Sequence, residues 1–149
     1  PLAGEAMPQG PVALSWPDVA ASGDWDTAGM NLVIHEFAHK LDMRGGDANG
    51  CPPLPPGLSL RTWTTRLDAA YAHFRARVQL GRHTHIDPYA AESPAEFFAV
   101  LAEVFFADPL CFRREYRGLY ELYVQFFRQD PAARVAAREG DERAPPGTG

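Results

Sequence analysis

Residues 35–42 read His-Glu-Phe-Ala-His-Lys-Leu-Asp, HEFAHKLD. The role of its two histidines decides how the rest of the chain must fold around them. The stretch lies in a helix predicted from about Thr27 to Met43, with Asp26 as the candidate cap and Gly45-Gly46 as the stop. An α-helix turns by about 100° per residue, so His35 and His39 lie about 40° apart and one turn along, close enough to share a metal ion. HExxH is the spacing zinc peptidases use, with the intervening glutamate, here Glu36, as general base. The plain alternative is a pair of histidines satisfied within a core. The helical wheel opposes it, because Met30, Val33, Phe37 and Leu41 point roughly away from the histidines and form the predicted core face. Asp42 shares the histidine face and is a candidate to accept the second ring N–H of a ligand histidine. It also reads as a surface acid in a last turn, where the helix dipole slightly disfavours it.

A catalytic zinc takes a third protein ligand and leaves one position for water. The pattern HExxHxxGxxH needs glycine at 42 and histidine at 45, and this chain has Asp42 and Gly45, which excludes it. Glu96 is the leading candidate. It opens the stretch EFFAVLAEVFFA, apolar almost all round, whose only charges, Glu96 and Glu103, fall on one stripe. A carboxylate on a buried helix is costly unless it meets a cation or several donors. Such a helix would also cover the histidine face. Glu96 has a second explanation in the capping box Ser93-Pro94-Ala95-Glu96. Glu103 reads as a carboxylate behind the ligands or an ion-pair partner, and Asp87 and His85 remain as further alternatives.

At 149 residues, 46% hydrophobic and 11% aromatic, the chain suits one domain with a real core. In GPVALSW, residues 10–16, Val12, Leu14 and Trp16 alternate with Ala13 and Ser15 after Pro11, the pattern of a short edge strand. Glycine and proline make residues 45–57 an irregular loop. Helices are predicted over about Leu60–Leu80, from Ser93 to about Ala107 with Asp108-Pro109 as terminator, and over about Arg113–Arg128. A short helix follows Asp130-Pro131. The fold class expected is mainly α with a small β element, α+β. Residues 1–9 are expected to be the flexible end of a fragment, since no methionine starts the chain, with the domain over 10–138 and a disordered tail over 139–149. A net charge of −5 gives no support to direct nucleic-acid binding. No apolar run approaches the roughly 18–20 residues that span a membrane. Cys51 and Cys111 lack metal or disulfide spacing, which points to a reducing, cytoplasmic compartment.

Three separated motifs, GPVALSW, HEFAHKLDMRGGDANGCP and DPYAAESPAEFFAVLAEVFF, together resemble the Mlc titration factor A family of bacterial zinc peptidases. The resemblance covers roughly residues 10–130. It implies a zincin-like catalytic domain and one Zn2+ held by His35, His39 and Glu96, with Glu36 as the catalytic glutamate. It matches Tyr89, seven residues before Glu96, to the family's tyrosine, which would donate to the developing oxyanion; a packed loop aromatic is the alternative. Like thermolysin-type peptidases, the family uses a His-His-Glu zinc set. The acid usual four residues after the glutamate ligand is Val100 here, so the support behind the histidines must be built differently, with Asp42 and Glu103 as candidates. The backbone of Val12, Ala13 and Leu14 would hold an extended peptide substrate along the strand edge. The family also implies a longer parent protein with a preceding N-terminal region, and binding to a transcriptional repressor. A competing reading is a regulatory module that sequesters the repressor, with zinc serving only the fold. Structural zinc usually has four protein ligands, which argues against that reading.

Overall fold

The computed structural model describes residues 27–44, 46 and 48–143. The chain runs through α1 (Thr27–Met43), α2 (Leu60–Gln79), a short 3-10 helix (Pro88–Ala91), α3 (Pro94–Ala107), α4 (Pro109–Glu115), α5 (Arg117–Phe127) and α6 (Pro131–Arg143). No strand occurs among the described residues. The strand expected at residues 10–16, with Val12, Ala13 and Leu14, lies outside them, as does the expected cap Asp26.

Helix α3 is the centre of the assembly, and its sequence explains why. Ser93, extended at φ −162° and ψ 160°, accepts the Glu96 N–H on its hydroxyl at 3.1 Å, and Pro94 supplies a first turn that needs no donor. Phe97, Phe98, Ala99, Val100, Leu101, Ala102 and Phe105 are all buried, so apolar side chains leave this helix in every direction. A helix of that kind has to be wrapped. It touches α1, α2, the 3-10 helix, α4 and α5. Below it, the Trp63 ring stacks on Tyr123 at 5.6 Å, and the Tyr123 hydroxyl donates to the Phe98 carbonyl at 3.0 Å. Each such fully buried large side chain contributes about 1.5–3 kcal/mol, and the tyrosine's polar end is satisfied.

Helix boundaries and one buried face differ from the sequence reading. Asp108-Pro109 does close α3, but Pro109 at once opens α4, and the single helix predicted over Arg113–Arg128 is two helices broken at Tyr116 (φ −141°, ψ 68°). Proline's missing N–H costs nothing in a first helical turn, so it starts a helix as readily as it ends one. The break turns Tyr116 toward α2, where its hydroxyl meets His73 Nδ1 at 3.0 Å. Helix α6 continues to Arg143, so residues 139–143, expected in the disordered tail, are helical. Its alanines and arginines are strong helix formers that carry the pattern past Gly140. Finally, the buried strip of α1 is Ile34, Ala38 and Asp42. Met30, Val33, Phe37 and Leu41, the predicted core face, are only partly buried. The strip adjoins the histidines because α3 comes close on that side, covering the residue before each histidine.

Candidate metal centre

Helix α1 presents His35 and His39 one turn apart, and the first turn of α3 brings Glu96 between them. His39 Nε2 lies 2.9 Å from Glu96 Oε1, and His35 Nε2 lies 3.1 Å from Glu96 Oε2 and 3.1 Å from His39 Nε2. Two turns further along α3, Glu103 Oε2 accepts from His35 Nδ1 at 3.3 Å. Since Glu96 sits by both histidines and Glu103 reaches back only to the first, α1 and α3 run antiparallel.

The donor set fits a metal ion. One atom from each of His35, His39 and Glu96 lies within 4.8 Å of the others, and each histidine approaches a different oxygen of the same carboxylate at about 3 Å. A tetrahedral ion with bonds of about 2.0–2.1 Å has ligand-to-ligand edges of about 3.3 Å, a spacing this donor set can meet with small side-chain adjustments. The Glu103 carboxylate calls for the proton on His35 Nδ1, which leaves the Nε2 lone pair aimed at the shared point. The side chains of His35, His39 and Glu96 are 16%, 21% and 19% exposed, sheltered yet open to water on one side.

Charge at the site follows from this crowding of acids. The His35 ring is held above its ordinary value near 6.5, first by the hydrogen bond to Glu103 and then by the charges of Glu103, Glu96 and Glu36, with burial pulling the other way. Glu36 is half-buried and close enough for its charge to act on His35. Tyr89 stands on the 3-10 helix, half exposed, and close enough to Glu96 for that charge to act on its hydroxyl. The Glu96 charge raises the phenol above its usual value, followed by burial and the Glu92 charge. His35, His39 and Glu96 are thus gathered between α1 and α3 with Tyr89 beside Glu96, and Glu36 follows His35 on α1.

Asp42 has other partners. It is fully buried, and its carboxylate accepts the Gly50 N–H at 2.7 Å and the Asn49 N–H at 3.2 Å. Burial raises its pKa, while these backbone donors and the nearby His39 act to lower it. Its hydrogen bonds tie the returning loop under the last turn of α1. Gly50, at φ +85°, leaves no room for a side chain: a Cβ there would stand 2.8 Å from Leu67 Cδ2 and 2.8 Å from the Pro94 carbonyl oxygen. The Gly50 carbonyl in turn accepts from Trp63 Nε1 at 2.9 Å. Asp42, Gly50 and Trp63 therefore lock α1, α2 and the start of α3 together, just below Glu96. Gly50 falls in the loop expected over residues 45–57, and Trp63 in the helix expected over about Leu60–Leu80. The signal available was an indole N–H at a core position, which requires a buried acceptor.

Residues 1–128 match the model of the family described as glucose-regulated metallo-peptidase M90. The chain belongs to that family. A Salmonella gallinarum protein named Mlc titration factor A is 43% identical over 143 residues, which cover 93% of this chain and 53% of the relative. Proteins of the same name from Salmonella typhimurium and Salmonella enteritidis are 43% identical over 142 residues, with the same shares. The chain thus spans about half the length of the curated relatives it matches. For a member of the metallo-peptidase M90 family, the His35, His39 and Glu96 cluster is the place where a metal fits. Among the described residues it is also the one group of three or more such side chains close enough to hold one. No helix among the described residues is long and apolar enough to cross a membrane.

Proposed function

We propose that this chain carries the catalytic centre of a zinc-dependent peptidase. The observation that carries the reading is the convergence of His35 Nε2, His39 Nε2 and the Glu96 carboxylate on one point, with Glu36 between the histidines in sequence. His35, His39 and Glu96 would hold one Zn2+ and leave a position open. When bound, the ion supplies Lewis acidity, lowering the pKa of a water to about 7 and polarising a carbonyl. Glu36 takes the proton of the attacking water and delivers it to the leaving amine. Tyr89, at the rim, donates its hydroxyl hydrogen to the oxygen that gains charge; removing such a donor typically costs about 10²–10³ in rate. Glu103 holds the His35 ring in one tautomer and orientation, so the site is set before substrate arrives. The free thiols of Cys51 and Cys111 suit a reducing, cytoplasmic compartment.

The relatives' name, Mlc titration factor A, favours a second and compatible role. In this role the protein binds a transcriptional repressor, with or without cleaving anything.

The Glu36→Gln variant tests both roles in the full-length protein. It keeps its zinc and loses about 10²–10⁴ in kcat against a peptide library. Equal cleavage by parent and variant would refute the assigned base. Capture of the repressor by the inactive variant would show that binding does not need hydrolysis.

A further inference from the structure

The 3-10 helix that carries Tyr89 is only four residues long. Helices of this type and length have poor hydrogen-bond geometry and do not hold themselves in place. Internally it has the Ala90 N–H on the Asp87 carbonyl at 3.0 Å, the Glu92 N–H on the Tyr89 carbonyl at 3.0 Å, and the Tyr89 N–H on Asp87 Oδ1 at 3.0 Å. These bonds shape the turn without fixing where it sits. Ala90 is buried, but a methyl group offers little leverage against rotation of the exposed residue beside it.

The turn packs on both α3 and α2, and among the described residues its directed side-chain tie to another helix comes from α2. The Tyr71 hydroxyl donates to the Ala91 carbonyl at 2.9 Å. The same ring packs edge-on against Phe97 at 5.4 Å, and Phe97 follows Glu96 in the first turn of α3. One half-buried side chain thus touches both the turn that presents Tyr89 and the turn that presents Glu96. Phenylalanine would fill the packing role at position 71 equally well. The hydroxyl is what remains to be accounted for, and among the described residues its directed bond goes to the Tyr89 turn.

We infer that Tyr71 is a positioning residue, which clamps the Pro88–Ala91 turn to α2 and α3 and so fixes the Tyr89 hydroxyl beside Glu96. Its effect on catalysis rests on the peptidase reading above; its effect on the turn does not.

The test is Tyr71→Phe, a variant that keeps the ring and removes only the hydroxyl. In the metal-free protein, amide hydrogen exchange at Tyr89, Ala90 and Glu92 should rise about three- to tenfold, the loss of one net hydrogen bond. Exchange at Ala99 and Leu101, inside α3, should stay unchanged, and zinc affinity should hold within about twofold. In the zinc-loaded full-length protein, kcat should fall on the order of tenfold with KM unmoved. The same change made in a Tyr89→Phe background should cost nothing further. Unchanged exchange in the turn overturns the clamp, and so does a kcat loss of equal size in the Tyr89→Phe background. If the parent protein cleaves no peptide, the peptidase reading fails, and the exchange measurement alone decides the clamp.

Discussion

Glu96 serves two purposes through two different groups. Its amide closes the cap on Ser93, and its carboxylate meets both histidines. In the capping-box pattern the glutamate side chain bends back to the cap. Here it faces forward, so the sequence offered two explanations for one residue and the helix uses one half of each. Glu103 was legible as an acid on the same stripe, and seven-residue spacing accounts for its reach to His35. Asp42 was legible as an acid on the histidine face, but its partners belong to a loop whose return path no helical periodicity encodes. Replacing Glu103 by glutamine should weaken zinc binding about 10- to 100-fold, measured against a competing chelator, because the His35 ring loses its anionic partner. Unchanged affinity would mean that Glu103 does not orient the ring. The raised pKa of His35 has a second consequence for the metal-free chain. A histidine whose folded value lies above its unfolded value stabilises the fold fully below the unfolded value, near 6.5. That contribution is lost as pH rises through the folded value. The melting temperature of the metal-free parent, relative to His35→Gln, should therefore fall across the window above pH 6.5. A difference independent of pH would contradict the assignment. Zinc, which needs the neutral ring, should bind more tightly across the same window.

At the scale of elements, periodicity found the helices and proline misled about their ends. The Leu60–Gln79 helix matches its predicted span to within one residue, because its buried Trp63, Leu67, Ala70 and Phe74 recur at helical intervals and Ser59 caps it. Asp108-Pro109 read only as a stop, yet the same two residues join α3 to α4. The left-handed residue that ends α5, Arg128 at φ +56°, had no glycine to announce it. Gly50 carries the strongest element-level prediction. Alanine there would meet both a positive φ and two contacts at 2.8 Å, one of them to backbone. Gly50→Ala should cost at least about 2–3 kcal/mol in urea unfolding, combining left-handed strain with overpacking. A loss under about 1 kcal/mol would mean that the loop moves freely and does not lock α1, α2 and α3.

Across the whole molecule, the apolar helix α3 serves as both core and lid: its aromatic faces hold α2, α4 and α5, and its one charged stripe turns to α1. That division explains why the candidate site could be read from sequence while its support could not. The site residues belong to motifs with fixed spacing. The support depends on tyrosine and tryptophan side chains whose polar ends find backbone acceptors far along the chain. Tyr71, Tyr123 and Trp63 all follow this rule, with partners at Ala91, Phe98 and Gly50. The strand expected at residues 10–16 lies outside the described residues; among those, helices position the metal centre. The most direct test of this centre is a crystal of the zinc-soaked protein measured at the zinc absorption edge. A single anomalous peak about 2 Å from His35 Nε2, His39 Nε2 and a Glu96 oxygen is the result predicted. A peak elsewhere, or none between α1 and α3, would contradict it.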